Sequence, residues 1–459
     1  MIHTQSVIKH INKMEDSRRD FIKKTIAASA AVSLGGVLPG FSAKSYAAIS
    51  GANERITVAI MGVHARGLAL AENYAAQKNC EVIYVSDVDS QVMDTCIGVV
   101  EKIQKKRPKA VPDFRKALED KSLEALVIAA PDHWHAPATI LACKAGKHVY
   151  VEKPCSHNPH EGEMMVAAAR KYNRQVQMGS QRRSWPNDVA AIKELHDGVI
   201  GRTYYAKGWL TNNRLSIGTG KKVPVPSWLN YDLWQGPAPR EPYRDNIIHY
   251  NWHWFLNWGT GELGNTGTHI VDVMRWGLGV EYPTSVTSSG GRYRYKDDWQ
   301  TPDTHVITWK FSDDKFMDWE GRSCNGRYID NQAVGAAFYG ETGSLVIGGN
   351  DYKIYDLNNK LLKEVKNSTT IDARNTVSPS QSLDAFHIQN FFDGIRKGAP
   401  LNAEILKGYQ STLLSQLGNI ALRTDSVLKI DEKNGHILDN AEANRYWKRE
   451  YEPGWEPTV

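Results

Sequence analysis

The sequence predicts an α/β domain with a parallel sheet, followed by a domain whose sheet is antiparallel. From residue 56 to residue 179, strand-like and helix-like segments alternate, and a glycine-rich turn follows the first strand. From residue 203 to residue 355, strand-like segments follow one another with turn residues between them and no long helix. The 459 residues, of which 41% are hydrophobic, suffice for two or three domains with cores of their own.

The N-terminal segment, residues 1–47, resembles a twin-arginine export signal. The pair Arg18-Arg19 stands before Phe21 and Lys23, and a weakly apolar run follows, ending in small residues near position 47. This run is too short and too interrupted by Gly and Pro to span a bilayer, and no other stretch is long and apolar enough. The segment therefore predicts export of the folded protein to the periplasm, with no membrane span.

The distribution of charge excludes one class of partner. The formal net charge is +5, and residues 1–47 hold seven Lys and Arg against three acids, which leaves +1 for the remainder. A nearly neutral body has no electrostatic footprint for nucleic acid.

The first strand and the turn after it have the form of a dinucleotide site. The apolar strand 56–61 runs into Gly62-Val63-His64-Ala65-Arg66-Gly67, and a helical pattern covers residues 68–77. Such a turn places a helix N-terminus against a pyrophosphate. His64 stands where the middle glycine is usual, and its side chain is expected to displace the cofactor or to impose a different turn. For the turn alone, a sheet protein without a nucleotide is the alternative.

Asp87 indicates which dinucleotide is expected. It ends the next strand, 81–86, twenty residues beyond Gly67. A carboxylate there accepts hydrogen bonds from both ribose hydroxyls and repels a 2′-phosphate, and no arginine stands beside it. The sequence therefore favours NAD over NADP.

The alternation then continues through helix 90–104, strand 125–130, helix 136–145, strand 148–152 and strand 175–179. The predicted loop before the second of these helices contains His133 and His135. Two histidines one residue apart are compatible with a metal site. Because no cluster of further ligand types lies nearby, a loop lining the cofactor is favoured and no metal is predicted.

Lys153 ends the strand 148–152 and precedes Pro154, which cannot donate to a sheet ladder. A solvated Lys-Pro turn is common and is the simplest interpretation of these two residues alone. In an open α/β sheet, however, ligands bind beyond the carboxyl ends of the strands. The position therefore predicts a lysine that faces a substrate.

Together these motifs resemble the Gfo/Idh/MocA family of NAD(P)-dependent oxidoreductases. The resemblance rests on the glycine turn, Asp87, Ala130-Pro131 with His135, residues 145–149 and above all Glu152-Lys153-Pro154. It implies a Rossmann domain followed by an α+β domain with a large, mostly antiparallel open sheet, and a catalytic role for Lys153. The free face of that sheet often joins subunits in this family, so a homo-oligomer is expected.

The residue patterns and the resemblance together predict domain limits and cofactor contacts. The expected segments are the signal at 1–47, the Rossmann domain at 52–180, the substrate and oligomerisation domain at 181–433 and a C-terminal tail at 434–459. The expected cofactor-binding residues are Gly62, Val63, His64, Arg66, Gly67, Asp87, Ala130, Pro131, His135, Glu152, Lys153 and Gln181.

A second motif lies in the other half of the chain, where Asn265, His269 and Asp272 recur at i, i+4 and i+7. These residues share one face of a predicted helix. A lone helix histidine is usually a satisfied core or surface group. The family resemblance, however, places an acid and a histidine in the substrate pocket at this spacing, with Asn265 here in the place of the acid. Asn265 is expected to orient His269.

Aromatic residues are concentrated between residues 185 and 258, well above the chain average of 10%. Flat aromatic faces with polar tips suit sugar rings, so a carbohydrate pocket is predicted. Any single tryptophan more often fills a core or an interface. The expected substrate-binding residues are Arg183, Trp185, Tyr250, His253 and Asp272.

The chemistry that these residues predict is oxidation of a secondary hydroxyl on a sugar, cyclitol or glycoside. A histidine with an ordinary pKa of about 6.5 accepts the hydroxyl proton near neutrality, whereas a lysine near 10.4 must first be lowered. Proton transfer is therefore assigned to His269 and Lys153 jointly, with Lys153 also polarising the substrate oxygen.

Export bears on the cofactor, because free NAD is not expected outside the cytoplasm. The cofactor must then be tightly held and either be reoxidised by a second substrate or be restored within one cycle. The alternative function is an NAD-retaining glycosidase or lyase that oxidises a ring hydroxyl, eliminates the aglycone and returns the hydride. A non-catalytic binding protein is disfavoured, because Lys153 and His269 are both present.

Overall fold

The computed structural model describes residues 55–367 and 381–459 of the chain. The predicted signal, residues 1–47, lies outside the described residues. In the part of the chain that is described, no helix is long and apolar enough to cross a membrane.

The first domain is built on a sheet of six parallel strands. These are β1 (Ile56–Met61), β2 (Cys80–Ser86), β3 (Lys109–Ala110), β4 (Ala125–Ile128), β5 (His148–Val151) and β6 (Val176–Met178). They lie in the order β3-β2-β1-β4-β5-β6. The central strand β4 is buried along its whole length, as expected for a strand covered by helices on both faces.

The helices of this domain connect successive strands. They are α1 (Ala65–Ala76), α2 (Ser90–Gln104), α3 (Phe114–Leu118), α4 (Asp132–Lys144) and α5 (Pro159–Lys171). Side chains cap three of their N-termini: Asp89 accepts from Gln91 N at the start of α2, Asp113 from Arg115 N in α3 and Asn158 from Glu161 N in α5. The predicted parallel sheet with helices on both faces is confirmed.

Helix α4 begins four residues earlier than predicted. The loop expected at residues 131–135 is the first turn of this helix, with Asp132 at its N-terminus. An acidic residue there is favoured by the positive end of the helix dipole. His133 and His135 consequently project from a helix and not from a flexible loop.

The second domain contains a sheet of ten strands. These are β7 (Thr203–Thr211), β8 (Ser285–Gly291), β9 (Thr304–Lys310), β10 (Phe316–Arg322), β11 (Val334–Gly340), β12 (Gly343–Ile347), β13 (Tyr352–Asp356), β14 (Leu361–Val365), β15 (Leu428–Ile430) and β16 (Ile437–Leu438). Their order is β14-β13-β12-β11-β7-β10-β9-β8-β15-β16. Only the pairing of β7 with β10 is parallel, so the expected large, mostly antiparallel sheet is confirmed.

Six α-helices are described after the first domain, and some of them pack on this sheet. They are α6 (Pro186–His196), α7 (Tyr231–Gln235), α8 (Thr268–Leu278), α9 (Gln381–Lys397), α10 (Ile405–Arg423) and α11 (Ala441–Asn444). Helix α8 contacts β7 and β11, and α10 contacts β8 and also α5 of the first domain. Nearly every residue of α8 is buried, which fixes the direction of its polar side chains.

The last 26 residues are more ordered than the irregular tail that the sequence predicts. Strand β16 pairs with β15, and α11 follows it. The ring of Trp455 lies edge-on to Trp134, with centroids 5.5 Å apart. Burial of this tryptophan against α4 stabilises the segment on the first domain.

Candidate active site

Two glycines shape the turn between β1 and α1. Gly62 has a φ of +77°, and a Cβ there would lie 2.5 Å from Ala130 N. A Cβ on Gly67 would lie 1.7 Å from Gly62 O, so neither position admits a side chain without movement of the backbone. This close approach leaves the backbone N–H groups at the start of α1 facing the space beyond the strand, as a pyrophosphate requires.

His64 does not block this turn. It is the N-cap residue of α1 with an extended backbone (φ −72°), which any residue adopts. Its ring stacks on His249 of the second domain with centroids 4.2 Å apart and planes 12° from parallel. The sequence predicted that the side chain of His64 would displace the cofactor or impose a different turn. Both predictions assumed that the imidazole would lie over the glycines, whereas it lies against His249.

Asp87 lies at the carboxyl end of β2, next to the glycine turn. Its Oδ2 accepts from Val63 N at 2.7 Å and its Oδ1 accepts from Asp89 N at 2.9 Å. Burial raises the pKa of this carboxyl, and the two backbone hydrogen bonds oppose that rise. The carboxylate is thus oriented by the turn, where the ribose of a dinucleotide would meet it.

Lys153 is buried at the carboxyl end of β5. Its ammonium donates to the backbone O of Asn265 and, at 3.3 Å, to the Oδ1 of the same residue. Burial lowers the pKa of Lys153, against the opposing charges of Glu152 and Asp132. The lysine is therefore held in the interior with a proton that it yields more readily than a solvated lysine does.

Glu152 holds two side chains behind Lys153. Its Oε1 accepts from Arg66 Nε at 2.8 Å and from Gln181 Nε2 at 2.9 Å. Both partners were expected to contact the cofactor. Arg66 faces the cavity, whereas Gln181 lies beneath it and also donates to Tyr150 Oη at 3.2 Å.

His269 projects from the first turn of α8 and is only 7% exposed. Its Nε2 is buried without a hydrogen-bond partner among the described residues. Burial, followed by the positive charge of Lys153, lowers the pKa of His269 well below its ordinary value. The imidazole is therefore neutral at pH 7, with a ring nitrogen available for a ligand.

Asn265 lies one turn before His269, in a π-helical turn over Leu263–Gly267. Its Nδ2 lies 3.4 Å from Tyr250 Oη and 3.3 Å from Glu262 Oε1, while its Oδ1 faces Lys153. The side-chain amide of Asn265 therefore contacts Lys153, Tyr250 and Glu262. The prediction that Asn265 orients His269 is not supported by these hydrogen bonds, which go to other residues.

These groups line one cavity of about 640 Å³ between the two domains. The residues predicted for the site that line it are Gly62, His64, Arg66, Gly67, Asp87, Ala130, Pro131, His135, Glu152, Lys153, Trp185, Tyr250, His253, Asn265 and His269. Val63, Gln181, Arg183 and Asp272 were also predicted for the site but do not line this cavity. Val63 reaches it only through the backbone bond to Asp87.

Arg183 and Asp272 pair with each other instead of with a substrate. The guanidinium makes hydrogen bonds of 2.8 to 3.0 Å to both carboxylate oxygens, and Ser411 Oγ also donates to the carboxylate. The two side chains are 5% and 1% exposed. This bidentate pair ties α8, the helix that carries His269, to the start of the second domain.

The two histidines of α4 are committed to backbone contacts. His135 has Pro154 O 2.6 Å from Nδ1 and Ala130 O 2.7 Å from Nε2, while His133 has Trp234 O 2.9 Å from Nε2. Within residues 55–367 and 381–459, no three His, Cys, Asp or Glu side chains form a group that could hold a metal ion. His135 instead ties the end of β4 to the Lys153-Pro154 segment.

Several lining residues were not predicted, chiefly polar groups whose partners are distant in sequence. They include Arg182, Asn212, Arg214 and Thr266, whereas Asp132 lies in the region expected to line the cofactor and Trp234, His249 and Trp252 lie in the aromatic region expected to form the pocket. Arg182 illustrates the reason, because its Nε donates to Asp188 while its Nη2 donates to Gly348 O in the second sheet. In the sequence, the position of Arg182 directly after Gln181, beyond the end of the last parallel strand, was the feature that could have indicated a place in the site.

The residues present fit a dinucleotide. The glycine cradle, the oriented Asp87 and His269 line one cavity, and the Nε2 of His269 is buried without a partner among the described residues. When NAD occupies such a cavity, it supplies the hydride acceptor for oxidation of an alcohol.

Two family models match most of the chain. Residues 56–180 match the oxidoreductase family with an NAD-binding Rossmann fold, and residues 184–456 match the C-terminal alpha/beta domain of the same oxidoreductase family.

Similar curated proteins include an inositol 2-dehydrogenase from Rubrobacter xylanophilus, 29% identical over 50% of this chain and 70% of that protein. A glycosyl hydrolase family 109 protein from Saccharopolyspora erythraea is 24% identical over 50% of this chain and 55% of that protein. A levoglucosan dehydrogenase from Pseudarthrobacter phenanthrenivorans is 26% identical over 36% of each. The chain therefore spans only about half the length, or less, of the last two relatives.

Solved structures share the fold at low identity. A levoglucosan dehydrogenase in complex with NADH and levoglucosan superposes with a TM-score of 0.63 at 17% identity, covering 82% of this chain and 99% of that one. An aldose-aldose oxidoreductase from Caulobacter crescentus, complexed with glycerol, has a TM-score of 0.63 at 16% identity, covering 82% and 100%. From the family models and this shared fold, the chain belongs to the Gfo/Idh/MocA family of oxidoreductases, and its first domain is an NAD-binding Rossmann fold.

Proposed function

We propose that this protein oxidises a secondary hydroxyl of an uncharged sugar, cyclitol or glycoside, with NAD tightly held in the same cavity. The observation that carries the proposal is that Lys153 and His269 both line the cavity that contains the glycine turn, and that the Nε2 of His269 is buried without a hydrogen-bond partner among the described residues. The relatives named inositol 2-dehydrogenase and levoglucosan dehydrogenase support a hydroxylated ring as the substrate.

The roles of the two side chains follow from their charge states. Neutral His269 accepts the hydrogen bond of the substrate hydroxyl and shares its proton, because its Nε2 has no competing partner in the part of the chain that the structure describes. Lys153 donates to the same oxygen by exchanging its 3.3 Å contact with Asn265 Oδ1 for the substrate. Burial lowers the pKa of Lys153, which lets it take part in the proton transfer near neutrality.

The charges around the cavity favour a substrate without a charge. Among the described residues, each arginine that lines it is already paired with a carboxylate, so none of these guanidinium groups is left for a substrate acid. The pairs are Arg66–Glu152, Arg182–Asp188 and Arg214–Glu262. A uronate entering this cavity would lose hydration without gaining a bidentate partner. Trp185, Tyr250 and Trp252 instead offer flat faces to a sugar ring.

Redox-assisted cleavage of a glycosidic bond is the second candidate. The relative named glycosyl hydrolase family 109 protein, which matches half of this chain, is the observation that favours it. The same two side chains would remove the proton and stabilise the oxygen in the first step of both reactions.

One experiment separates the two functions. The holoenzyme is incubated with a panel of uncharged monosaccharides and aryl glycosides, and NADH and released aglycone are measured together. Sugar-dependent NADH without aglycone supports net oxidation, whereas aglycone release without net NADH supports redox-assisted cleavage. Absence of both signals across the panel contradicts the proposed function.

We further propose that the protein is exported folded to the periplasm. The pair Arg18-Arg19 in residues 1–47 supports this localisation. Replacing both arginines with lysine is expected to leave the protein in the cytoplasm, which fractionation of the expressing cells measures. Periplasmic protein in that variant contradicts the twin-arginine route.

A homo-oligomer through the open sheet is also proposed. Tyr205 of β7 stacks between Phe316 of β10 and Tyr339 of β11, with centroids 4.3 and 4.9 Å apart. Phe316 is 39% exposed, so this aromatic row is available to a second subunit. Sedimentation of wild type and of Phe316→Glu tests the proposal, and an unchanged mass in the variant contradicts it.

A further inference from the structure

A segment of the second domain passes over the nucleotide end of the cavity. This segment, residues 228–260, is called the roof segment. At its start, Trp228 O accepts from Ser90 N at 3.0 Å, and Asn230 N donates to Val88 O at 2.9 Å. These bonds fasten the roof segment to the residues that follow β2 in the first domain.

The roof segment is fastened a second time on the other side of β1. Trp134 Nε1 donates to Trp234 O at 3.0 Å, His133 N donates to Trp258 O at 3.2 Å, and Thr260 Oγ1 donates to Asp132 Oδ2 at 2.6 Å. These partners begin α4, directly after β4. Because β2 and β4 flank β1 in the sheet, the two attachments span the carboxyl end of β1 and its glycine turn.

The third attachment joins the roof segment to the glycine turn itself. The ring of His249 stacks on His64 at 4.2 Å, and its Nε2 lies 2.8 Å from Asp89 Oδ2. The other oxygen of Asp89 accepts from Gln91 N at 2.8 Å, which fixes the carboxylate at the start of α2. His249 thus contacts residues at the N-termini of both α1 and α2, and the ring of Trp228 stacks on it with centroids 6.2 Å apart.

We propose that the roof segment retains the dinucleotide, and that His64 and His249 form a clasp that must open before NAD can leave. The inference rests on the proposed function, because it gives the structural cause of tight cofactor retention. Burial and the neighbouring His249 lower the pKa of His64, so its ring is neutral at pH 7 and stacks without adding charge. The side chain in place of the usual middle glycine is then a positioning residue for the cofactor.

The test is the rate at which bound NAD exchanges. The holoenzyme is diluted into an excess of isotopically labelled NAD, and the label in the protein fraction is followed by mass spectrometry. Loss of the stacked pair is expected to speed exchange about 5-fold in His64→Gly, and loss of the stacked pair together with the Asp89 contact is expected to speed it about 20-fold in His249→Ala. His249→Phe keeps the stacked ring but loses the Asp89 contact, so its exchange rate is expected between wild type and His249→Ala.

Two further variants complete the design. The double variant His64→Gly/His249→Ala is expected to exchange within about twofold of the faster single variant, because both changes break the same contact. His436→Ala, a change at a histidine whose side chain is 50% exposed away from the cavity, is expected to exchange like wild type. Equal thermal melting of all variants excludes general unfolding as the cause.

Wild-type exchange rates in both single variants overturn the clasp, as do effects that multiply in the double variant. These results leave the proposed function standing, because the nucleotide is still bound and turned over. Failure of the proposed function has a different signature, in which the wild-type protein retains no nucleotide and reduces none with any sugar.

Discussion

The charge state of Lys153 is set by its burial and by the contacts of its ammonium group. Asn265 is the polar neighbour whose side chain meets the ammonium, and a neutral amide leaves the lowered pKa of Lys153 in place. The family resemblance implies an acid at position 265, where this chain has Asn265. The replacement lies beside the ammonium of Lys153 and therefore affects the proton affinity of that lysine. An amide here keeps Lys153 closer to the proton affinity of a general base.

Replacing Asn265 with Asp tests this account of Lys153. A carboxylate at the 3.3 Å contact would favour the ammonium form and raise the pKa of Lys153. We expect turnover at pH 7 to fall by about 10-fold and the pH optimum to move upward, since one pKa unit changes the deprotonated fraction by that factor. The rate of sugar oxidation as a function of pH measures both effects. A pH profile identical to that of wild type would show that the protonation state of Lys153 does not affect the rate-limiting step.

At the scale of single elements, the turn between β1 and α1 depends on close backbone contacts of Gly62 and Gly67, which leave no room for a side chain at either position. Its two glycines and its strand were predictable because strand, turn and helix are contiguous in sequence. The roof segment was not predictable, because Trp228 and Trp234 bind residues more than 90 positions away. For the same reason the sequence placed Arg183 and Asp272 with the substrate, although they pair with each other 89 residues apart.

A matched pair of glycine substitutions tests the turn. In Gly67→Ala the new Cβ would lie 1.7 Å from Gly62 O, so we expect loss of NAD binding and a free energy of unfolding lower by about 2 kcal/mol or more. In Gly98→Ala the Cβ meets nothing within 4 Å inside α2, so we expect normal NAD binding and up to about 1 kcal/mol of added stability. Nucleotide content after purification and urea unfolding measure both. Normal NAD binding by Gly67→Ala would contradict the cradle.

At the scale of the whole molecule, the fold class followed from the order of strands and helices, while its response to pH depends on buried histidines. Burial lowers the pKa of His133 and His305 to about 3 and that of His387 to about 4. The folded protein cannot protonate these rings between about pH 6.5 and 4, whereas the unfolded chain does. The unfolded state therefore gains protons as the pH falls, and the folded state loses stability in that window.

We expect each such histidine to lower the free energy of unfolding by about 1.4 kcal/mol per pH unit below pH 6. His305→Gln should therefore reduce the dependence of the unfolding free energy on pH by up to the contribution of one histidine. The substitution disturbs little else, because among the described residues the hydrogen bond of the His305 side chain is to Ser288 Oγ. His160→Gln, at a side chain that is 37% exposed, serves as the control for the substitution itself. Urea unfolding at pH 7.0, 6.0 and 5.0 provides the comparison. Equal slopes in wild type and His305→Gln would show that this histidine is not held neutral.

The central claim is that Lys153 and His269 act on a carbohydrate hydroxyl in the cavity that holds NAD. The most direct measurement is sugar-dependent reduction of the bound nucleotide by wild type and by Lys153→Ala, with nucleotide content determined in the same samples. We expect both proteins to contain equal NAD, and the variant to form NADH more slowly by about 10³-fold, as removal of a proton-transfer and oxygen-binding group predicts. Full activity in Lys153→Ala, at equal nucleotide content, would contradict the claim.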